Sequence, residues 1–277
     1  MNHRKALALL VITAILWSTG GILIKTIQLH PLAIAGSRSV VAAIVLALAT
    51  RQFKFTWSKA QIVTAISFAA TVLLFVLATK LTTAANAILL QYTAPIYAAI
   101  LSGPLLGEKV QKRDWITLAA VIGGMVLFFL DEVSTEHTLG NVVALASGLA
   151  FAGIALGLRM QKGVSTFESI LLGHICCAIV GLPFLAAGPW PTVTDQLYIL
   201  LLGVVQLGIP YVLYGIAIKH VTAVEATLVP VIEPILNPIW VAFFIGEKPS
   251  GYAMAGGGVV VAAVLMHALS SARARAH

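Results

Sequence analysis

Charged residues are scarce in this chain of 277 residues, and their scarcity excludes most soluble folds. Asp, Glu, Lys and Arg make up 10% of the chain and apolar residues 60%. A soluble domain has about 25% charged and about 45–50% apolar residues. A water-soluble fold of this size has too little interior for so much apolar surface, so most of the chain must be surrounded by lipid.

Cysteine is rare in the sequence, and nucleotide-binding motifs are absent from it. The only cysteines, Cys176 and Cys177, are adjacent in an apolar stretch and do not form a metal-ligand pattern. The sequence contains no Walker motif, which excludes ATP-driven transport by this chain alone. Its aspartates lie at loops or span ends, so the paired aspartates of an intramembrane enzyme are absent. We expect no enzyme activity, no catalytic residue, no metal site and no cofactor.

The net charge of +7 has a simpler explanation than nucleic-acid binding. Cytoplasmic loops of membrane proteins are rich in Lys and Arg. With the N-terminus inside, 13 of the 17 Lys and Arg residues fall in cytoplasmic segments, three face outward, and Arg38 lies within a span. We expect a multi-pass protein of the inner (cytoplasmic) membrane with both termini cytoplasmic, contacting membrane lipid and no nucleic acid.

Apolar runs between polar or Pro/Gly breaks predict an all-α integral membrane protein with ten transmembrane helices. The first run follows Met1–Lys5 and is too long for a signal peptide, so we interpret it as a permanent helix. The predicted spans are 6–27, 32–50, 61–79, 83–103, 114–131, 139–158, 167–188, 196–217, 222–245 and 251–269.

An internal repeat relates residues 78–109 to residues 217–248 at a constant offset of 139. The matched residues are Lys80 with Lys219, Thr83 with Thr222, Pro95 with Pro234, and Gly107-Glu108-Lys109 with Gly246-Glu247-Lys248. Two halves, residues 1–136 and 137–277, then hold five helices each. Because five is an odd number, the second half enters the membrane from the opposite side. Such inverted repeats are typical of secondary transporters, with the substrate near the midplane between the halves.

Several of these features together carry a family resemblance that covers the whole chain. They are the ten spans, the Trp-Ser-Thr-Gly-Gly stretch at 17–21, Pro31 with Arg38, and the two matched pairs Pro95…Gly107-Glu108 and Pro234…Gly246-Glu247. The sequence resembles the EamA branch of the drug/metabolite transporter superfamily, and is most similar to bacterial YddG-type exporters of aromatic amino acids. The resemblance implies ten helices around a central cavity, and efflux of amino acids or related amphiphiles. An exchanger or drug-efflux member stays open as an alternative, and a channel or scaffold is a weaker one.

Glu233 lies in the middle of the ninth span, with Asn237 and Trp240 on the same helix face. An isolated carboxylate in hydrocarbon is costly, so Glu233 must face protein or water. Two hypotheses remain open. Glu233 either binds a substrate ammonium or couples transport to protons, or it is a structural acid bonded to other helices.

Three further titratable residues are candidates for structural or coupling roles. Arg38 either tethers a helix or binds a substrate carboxylate. Its repeat counterpart His174 is a core histidine or, less favoured, a proton relay. Glu225 is best explained as a solvated acid at the start of the ninth span.

Aromatic and amide side chains suit a cavity for an amphiphilic substrate, although some of them will be packing residues or interfacial anchors. Asn86, Thr93 and Tyr97 share one face of the fourth span, and Gln206, Pro210 and Tyr214 share a face of the eighth. The predicted substrate-binding residues are Trp17, Asn86, Gln91, Tyr92, Tyr97, Gln206, Tyr214, Glu233, Asn237 and Trp240.

Proline and glycine predict where helices bend and where they pack closely. Pro95, Pro234 and Pro238 remove helical hydrogen bonds and predict hinges for alternating access, the alternative being static kinks. Glycine pairs such as Gly123-Gly124 in the fifth span, and the glycines at 256–258 in the tenth, predict close helix contacts. We expect a monomer or weak homodimer whose partner is a small-molecule substrate, most plausibly an amino acid.

Overall fold

The described part of the chain is entirely helical and contains no strand, which confirms the all-α prediction. The computed structural model describes residues 1–50, 53–82, 84–128, 130, 137–161, 166–236 and 250–274. A π-helical segment, Leu202–Gly208, joins α10 to α11, and 3₁₀ turns cover Ile218–His220 and Val229–Ile232. The α-helices are α1 His3–Trp17, α2 Gly20–Thr26, α3 Pro31–Thr50, α4 Lys59–Leu81, α5 Ala84–Gln91, α6 Ala94–Leu106, α7 Lys112–Phe128, α8 Thr138–Met160, α9 Phe167–Ala187, α10 Val193–Leu201, α11 Ile209–Ala217, α12 Ala223–Leu228 and α13 Gly251–Ala274.

Seven helical stretches in the described residues are long and apolar enough to cross a membrane, so the predicted count of ten is not confirmed. They are Pro31–Thr50, Lys59–Leu81, Asn86–Leu106, Thr138–Met160, Phe167–Ala187, Val193–His220 and Gly251–Ser270. The other three predicted spans are not among these seven stretches, and the reason differs for each. The first is split after Trp17, α7 has 17 residues, and the ninth continues into residues outside the described part.

Four of the predicted spans are interrupted part-way along their length. The first breaks at residues 18–19, the fourth at 92–93, the eighth at the π-helical Leu202–Gly208, and the ninth at the 3₁₀ turn Val229–Ile232. Non-helical backbone at membrane depth is tolerated only where it is buried in protein or lines a wet cavity. The interruptions therefore indicate where a transport site can lie.

Local chemistry explains two of these breaks. The hydroxyls of Ser18 and Thr19 donate to the carbonyls of Ile15 and Leu16, which competes with the helical hydrogen-bond pattern. At the second break, Pro95 has no N–H to donate to the carbonyl of Gln91, so the helix cannot continue through this turn with all its bonds.

The helices pair in a pattern that is consistent with two-fold symmetry. Helix α3 packs on α9, α7 on α13, and α6 on α12, so corresponding helices of the two halves contact each other. Helix α4 packs on α8, and α11 packs on α1. These two contacts are equivalent, because α11 in the second half corresponds to α4 in the first, and α8 corresponds to α1.

Close approach at two of these pairs depends on glycine. A Cβ on Gly36 of α3 would lie 2.7 Å from the Cα of Gly181 on α9. A Cβ on Gly256 of α13 would lie 2.4 Å from the carbonyl oxygen of Gly124 on α7. The glycines of the fifth and tenth spans were predicted to allow close helix contacts, and here these two spans contact each other within one chain.

Candidate functional site

The interrupted helices meet around one cavity. Trp17, Tyr92, Gln206 and Glu233 line it, and each lies directly before, within or directly after one of the four interruptions. The other lining residues are Arg38, Thr71, Val72, Phe75, Gln91, Phe151, Leu207 and Tyr211.

The cavity is narrow in this conformation. Its volume is about 40 Å³, whereas a water molecule needs about 10–15 Å³ by this measure. The side chains therefore leave room for a few water molecules, and a metabolite of amino-acid size requires them to move apart.

A buried polar contact in the cavity joins Tyr92 to Glu233. The Tyr92 hydroxyl donates a hydrogen bond to Oε2 of Glu233, and both residues are buried. Tyr92 lies in the break between α5 and α6, and Glu233 directly follows the 3₁₀ turn Val229–Ile232. This bond supplies the partner that a buried carboxylate requires. It also links the first half of the chain to the second.

A second polar contact holds Arg38, which is 1% exposed. Its Nη1 donates to Oε1 of Gln206 at 2.9 Å, and its Nε has no hydrogen-bond partner in the described part of the chain. No carboxylate of the described residues lies within ion-pair distance of this guanidinium. Gly20 makes room for Gln206, because a Cβ there would lie 2.9 Å from the Gln206 side chain.

Aromatic rings form the rest of the wall. The ring of Trp17 lies 5.2 Å from that of Tyr211, 5.7 Å from Tyr214 and 5.8 Å from Phe151 between centroids. Phe151 in turn meets Tyr92 edge to face at 6.4 Å. Such rings present apolar surface, and their faces attract cations.

A chain of hydrogen bonds holds the lining residues Gln91 and Thr71 together on one side of the cavity. Nε2 of Gln91 donates to the hydroxyl of Ser147 at 2.7 Å, and that hydroxyl donates to the carbonyl of Thr71 at 3.1 Å. A Cβ on Gly148 would lie 2.7 Å from the carbonyl oxygen of Gln91, so glycine lets α8 approach the carbonyl that Pro95 leaves without a helical donor. The broken end of α5 is thereby held against α4 and α8.

Several predicted site residues lie away from the cavity lining. Asn86 bonds Thr82 and Asn141 near one end of the molecule, and Tyr97 is half-buried in α6 beyond the break. Tyr214 is buried behind Trp17, with its hydroxyl unpartnered among the described atoms.

His174 lies behind the cavity wall. It is fully buried, its ring lies 4.5 Å from that of Phe68, and neither ring nitrogen has a partner in the described part.

Glu225 corrects one expectation, because it is buried where a solvated acid was expected. Its carboxylate accepts from the backbone N–H of Thr222 in a capping box at the start of α12, and its Oε1 lies 3.0 Å from Nε2 of His3. The predicted position at a helix start was right. Burial follows because the start of α1 covers it.

The predicted hinges and the end of the ninth span are only partly described. Pro95 is at the start of α6, directly after the break, and Pro234 is buried in the helical turn 233–236 after the 3₁₀ segment. Asn237, Pro238 and Trp240 lie outside the described residues.

Phe151, Thr71 and Phe75 line the cavity although they were not predicted to do so. One signal was available for Phe151, which aligns with Trp17 when the repeat is extended to the first and sixth spans at a slightly different offset. Tyr211 lines the cavity too, and it is one of the aromatic residues of the eighth span that suit such a cavity.

One end of the molecule, which we call the Glu108 end, carries ionic contacts between the halves. Oε1 of Glu108 accepts from Nε of Arg159 at 2.9 Å, and its Oε2 accepts from the backbone N–H of Ala223 at 3.1 Å. The contact between His3 and Glu225 lies beside them. These contacts tie α6 to α8 and α12, and α1 to α12.

The opposite end, which we call the Lys25 end, is held by other contacts. Nζ of Lys25 donates to the carbonyl of Thr82, and Nζ of Lys80 donates to the carbonyl of Ile27 at 2.8 Å. The bonds from Thr82 and Asn86 to Oδ1 of Asn141 join the halves here, and they are neutral. Within the described residues, the ionic contacts between the halves are therefore at the Glu108 end.

The sequence model of the EamA-like transporter family matches residues 4–130 and, a second time, residues 138–269. This chain belongs to that family. It is therefore a multi-pass membrane transporter of the drug/metabolite type, and EamA transporters are not enzymes. Within the described residues, no three His, Cys, Asp or Glu side chains are grouped as a metal site.

Known relatives of this EamA-like chain are transporters too. It is 31% identical over 201 residues to an uncharacterised transporter of Archaeoglobus fulgidus, covering 71% of each chain. It is 24% identical over 189 residues to the pseudopaline exporter CntI of Pseudomonas aeruginosa, and 25% identical over 226 residues to solute carrier family 35 member G1 of Mus musculus. These two matches cover 65% and 72% of this chain, but only 64% and 60% of the relatives.

A solved crystal structure has the same fold as this EamA-like chain. The two agree with a TM-score of 0.79 over 94% of this chain and 96% of the other, at 18% sequence identity. At so low an identity, the likeness establishes the fold alone.

Proposed function

We propose that this EamA-like chain is a secondary transporter that exports aromatic or hydrophobic amino acids and related amphiphiles across the inner membrane by alternating access. The observation that carries the proposal is the Tyr92–Glu233 bond inside a cavity walled by aromatic rings. When the side chains move apart, an ammonium group can lie beside the carboxylate of Glu233 and the faces of the rings, and an apolar side chain can lie among the rings. Export agrees with the name of the relative CntI.

The proposed architecture has ten spans in two inverted repeats, residues 1–136 and residues 137–277, with both termini cytoplasmic. Each of the ten predicted spans contains described helix. The two separate matches of the family model and the two-fold pairing of the helices support the repeat. The excess of Lys and Arg in loops of one side supports the orientation.

In the proposed cycle, the substrate ammonium replaces the Tyr92 hydroxyl as partner of Glu233, which loosens the bond between the halves. In this cycle, the bonds of Glu108 to Arg159 and to the backbone N–H of Ala223 are the contacts that keep one face of the cavity closed. Their release, with bending at the breaks before Pro95 and Pro234, opens that face. An ammonium makes a charge-assisted bond to the carboxylate, so it competes well with a neutral hydroxyl.

Uptake into proteoliposomes tests the proposal. Purified protein is reconstituted with and without a pH gradient, and labelled tryptophan, phenylalanine, leucine, glutamate, a sugar phosphate and a cationic drug are offered in turn. We expect saturable uptake of tryptophan, phenylalanine and leucine, and at least tenfold less of glutamate and sugar phosphate. Uptake of the drug without any amino acid would favour the drug-efflux alternative, and uptake of sugar phosphate would favour an exchanger.

A further inference from the structure

Arg38 is a buried cation without an anionic partner in the described residues. A guanidinium stays protonated in proteins and presents five N–H donors. Buried charges are normally paired with an opposite charge, because removal from water is costly. Here the one hydrogen bond found goes to a neutral amide, that of Gln206, and Nε has no partner in the described part. The buried positive charge of Arg38 is therefore not balanced by a negative charge bonded to it among the described residues.

The surroundings of Arg38 do not supply that charge. Glu233 is the carboxylate of this cavity, and its Oε2 accepts from Tyr92. His174, which interacts electrostatically with Arg38, has no partner at either ring nitrogen within the described chain. Tyr211 lies close enough to Arg38 and Glu233 to interact with both charges. A cation and an anion thus line one cavity without forming an ion pair with each other.

Gln206 stands where an anion would bind. Its Oε1 lies 2.9 Å from Nη1 of Arg38, the distance of a charge-assisted bond from a guanidinium to an oxygen. Gln206 belongs to the π-helical segment Leu202–Gly208, a type of segment that is frequent at functional sites. Its side chain packs against the bare Cα of Gly20 and lines the cavity, so a molecule in the cavity can contact it.

We propose that Arg38 binds the carboxylate of the substrate, and that the amide oxygen of Gln206 holds the position of that carboxylate until the substrate arrives. The substrate is then recognised as a zwitterion, with its carboxylate on Arg38 and its ammonium near Glu233. This inference rests on the proposed function and narrows it from amphiphiles in general to compounds with a free carboxylate.

Competition against labelled tryptophan uptake by the unaltered protein gives a first test that needs no variant. The competitors are tryptamine, which lacks the carboxylate, indole-3-propionate, which lacks the ammonium, and unlabelled tryptophan. Loss of a hydrogen-bonded charge weakens binding by about tenfold or more. We expect tryptamine and indole-3-propionate each to compete at least tenfold less well than tryptophan.

The variant Gln206→Glu makes the second test, because it places a permanent carboxylate on Arg38. We expect tryptophan uptake to fall at least tenfold, and the ratio of tryptamine to tryptophan uptake to rise by at least the same factor. Gln196→Glu on α10 is the matched control, since the same substitution falls on an exposed residue outside the cavity. Size-exclusion chromatography of both variants establishes that they are folded.

The results separate this inference from the function on which it rests. If tryptamine competes as well as tryptophan, the inference is overturned while transport of aromatic amphiphiles stands. The same holds if Gln206→Glu leaves the ratio of the two uptakes unchanged. If neither tryptophan nor tryptamine is transported by the unaltered protein, the inference and the proposed function both fail.

Discussion

The hydroxyl of Tyr92 donates a hydrogen bond to the carboxylate of Glu233 across the boundary between the two halves of the chain. Tyr92 lies within an interruption of a helix, and Glu233 directly follows another, the 3₁₀ turn Val229–Ile232. A bond that joins the two halves through a titratable group gives the substrate a direct means of changing how the halves are held. The first prediction concerns this bond.

Glu233→Gln removes the charge and keeps the size of the side chain. We expect tryptophan uptake to fall at least about tenfold, because bonds to charged groups are worth about 1.5–3 kcal/mol. Ionised Glu233 binds the ammonium, so transport by the unaltered protein should decrease as the pH is lowered, and the variant should lose this dependence. The other titratable or charged groups lining the cavity are Tyr92, Tyr211 and Arg38. An unchanged rate and pH profile would exclude Glu233 from the mechanism.

Tyr92→Phe should act differently, because it removes only the neutral partner of the carboxylate. We expect substrate affinity to stay or improve while the resting contact between the halves weakens. Tyr252→Phe on α13, where the tyrosine is exposed, is the matched control. A loss of affinity comparable to that of the Glu233 variant would contradict the competition between hydroxyl and ammonium.

The hinge at Pro234 leads to a third prediction. Pro234→Ala restores a backbone N–H beside the 3₁₀ turn Val229–Ile232 and should stiffen this helix. Turnover should fall severalfold while the yield of folded protein stays near that of the unaltered chain. Pro183→Ala, at an exposed position inside α9, serves as the control. Normal turnover of the Pro234 variant would show that this proline is a static kink and not a hinge.

Close packing of α3 on α9 leads to a prediction about stability. Gly36→Val places two methyl groups where a single Cβ would already lie 2.7 Å from the Cα of Gly181. Overpacking typically costs about 1–3 kcal/mol, so the thermal unfolding midpoint in detergent should drop by several degrees. Gly123→Val in α7 should change it little, since no atom lies within 4 Å of a Cβ there. Equal midpoints for the two variants would contradict the packing.

The general organisation of the fold could be predicted because a lipid environment imposes a strong pattern on the amino-acid sequence. Long apolar runs and charged loops indicate the helices, and the Gly-Glu-Lys repeat indicates two similar halves, without any knowledge of tertiary contacts. The same pattern does not predict where a span breaks. The π-helical segment Leu202–Gly208 is as apolar as its neighbours, and the break after Trp17 depends on two hydroxyl groups that also occur within regular helices.

The candidate site was predicted in part, and the errors in the fourth span have one physical origin. Trp17, Gln91, Tyr92, Gln206 and Glu233 line the cavity, and their contact with substrate stays a prediction. The shared face of the fourth span that groups residues 86, 93 and 97 assumes a continuous helix. The break at residues 92–93 changes the direction of the side chains that follow it, and none of these three residues is in the cavity lining.

Burial of Glu225 was missed for a different reason. A capping box can be recognised from Thr222 and Glu225 in the sequence, because the two residues are three positions apart. The contact with His3 spans more than 200 residues of sequence and cannot be read from local spacing.

The contacts at the Glu108 end lead to a prediction about the conformational equilibrium. Glu108→Gln weakens the ionic bond to Arg159, a partly exposed contact worth about 1 kcal/mol. We expect roughly fivefold more of the state that is open at this end. Lys109→Gln, at an exposed neighbouring position, is the control. Equal populations in the two variants would show that these contacts do not close the cavity.

Alternating access of the cavity is the central claim, and labelling of a single cysteine tests it most directly. Thr71→Cys places a small thiol on the cavity lining, in a background with Cys176→Ser and Cys177→Ala. A membrane-impermeant maleimide is applied from one face of the membrane and then from the other, with and without saturating tryptophan. We predict labelling from both faces, with tryptophan raising the rate from one face and lowering it from the other. Labelling from a single face, at a rate that tryptophan does not change, would contradict the account.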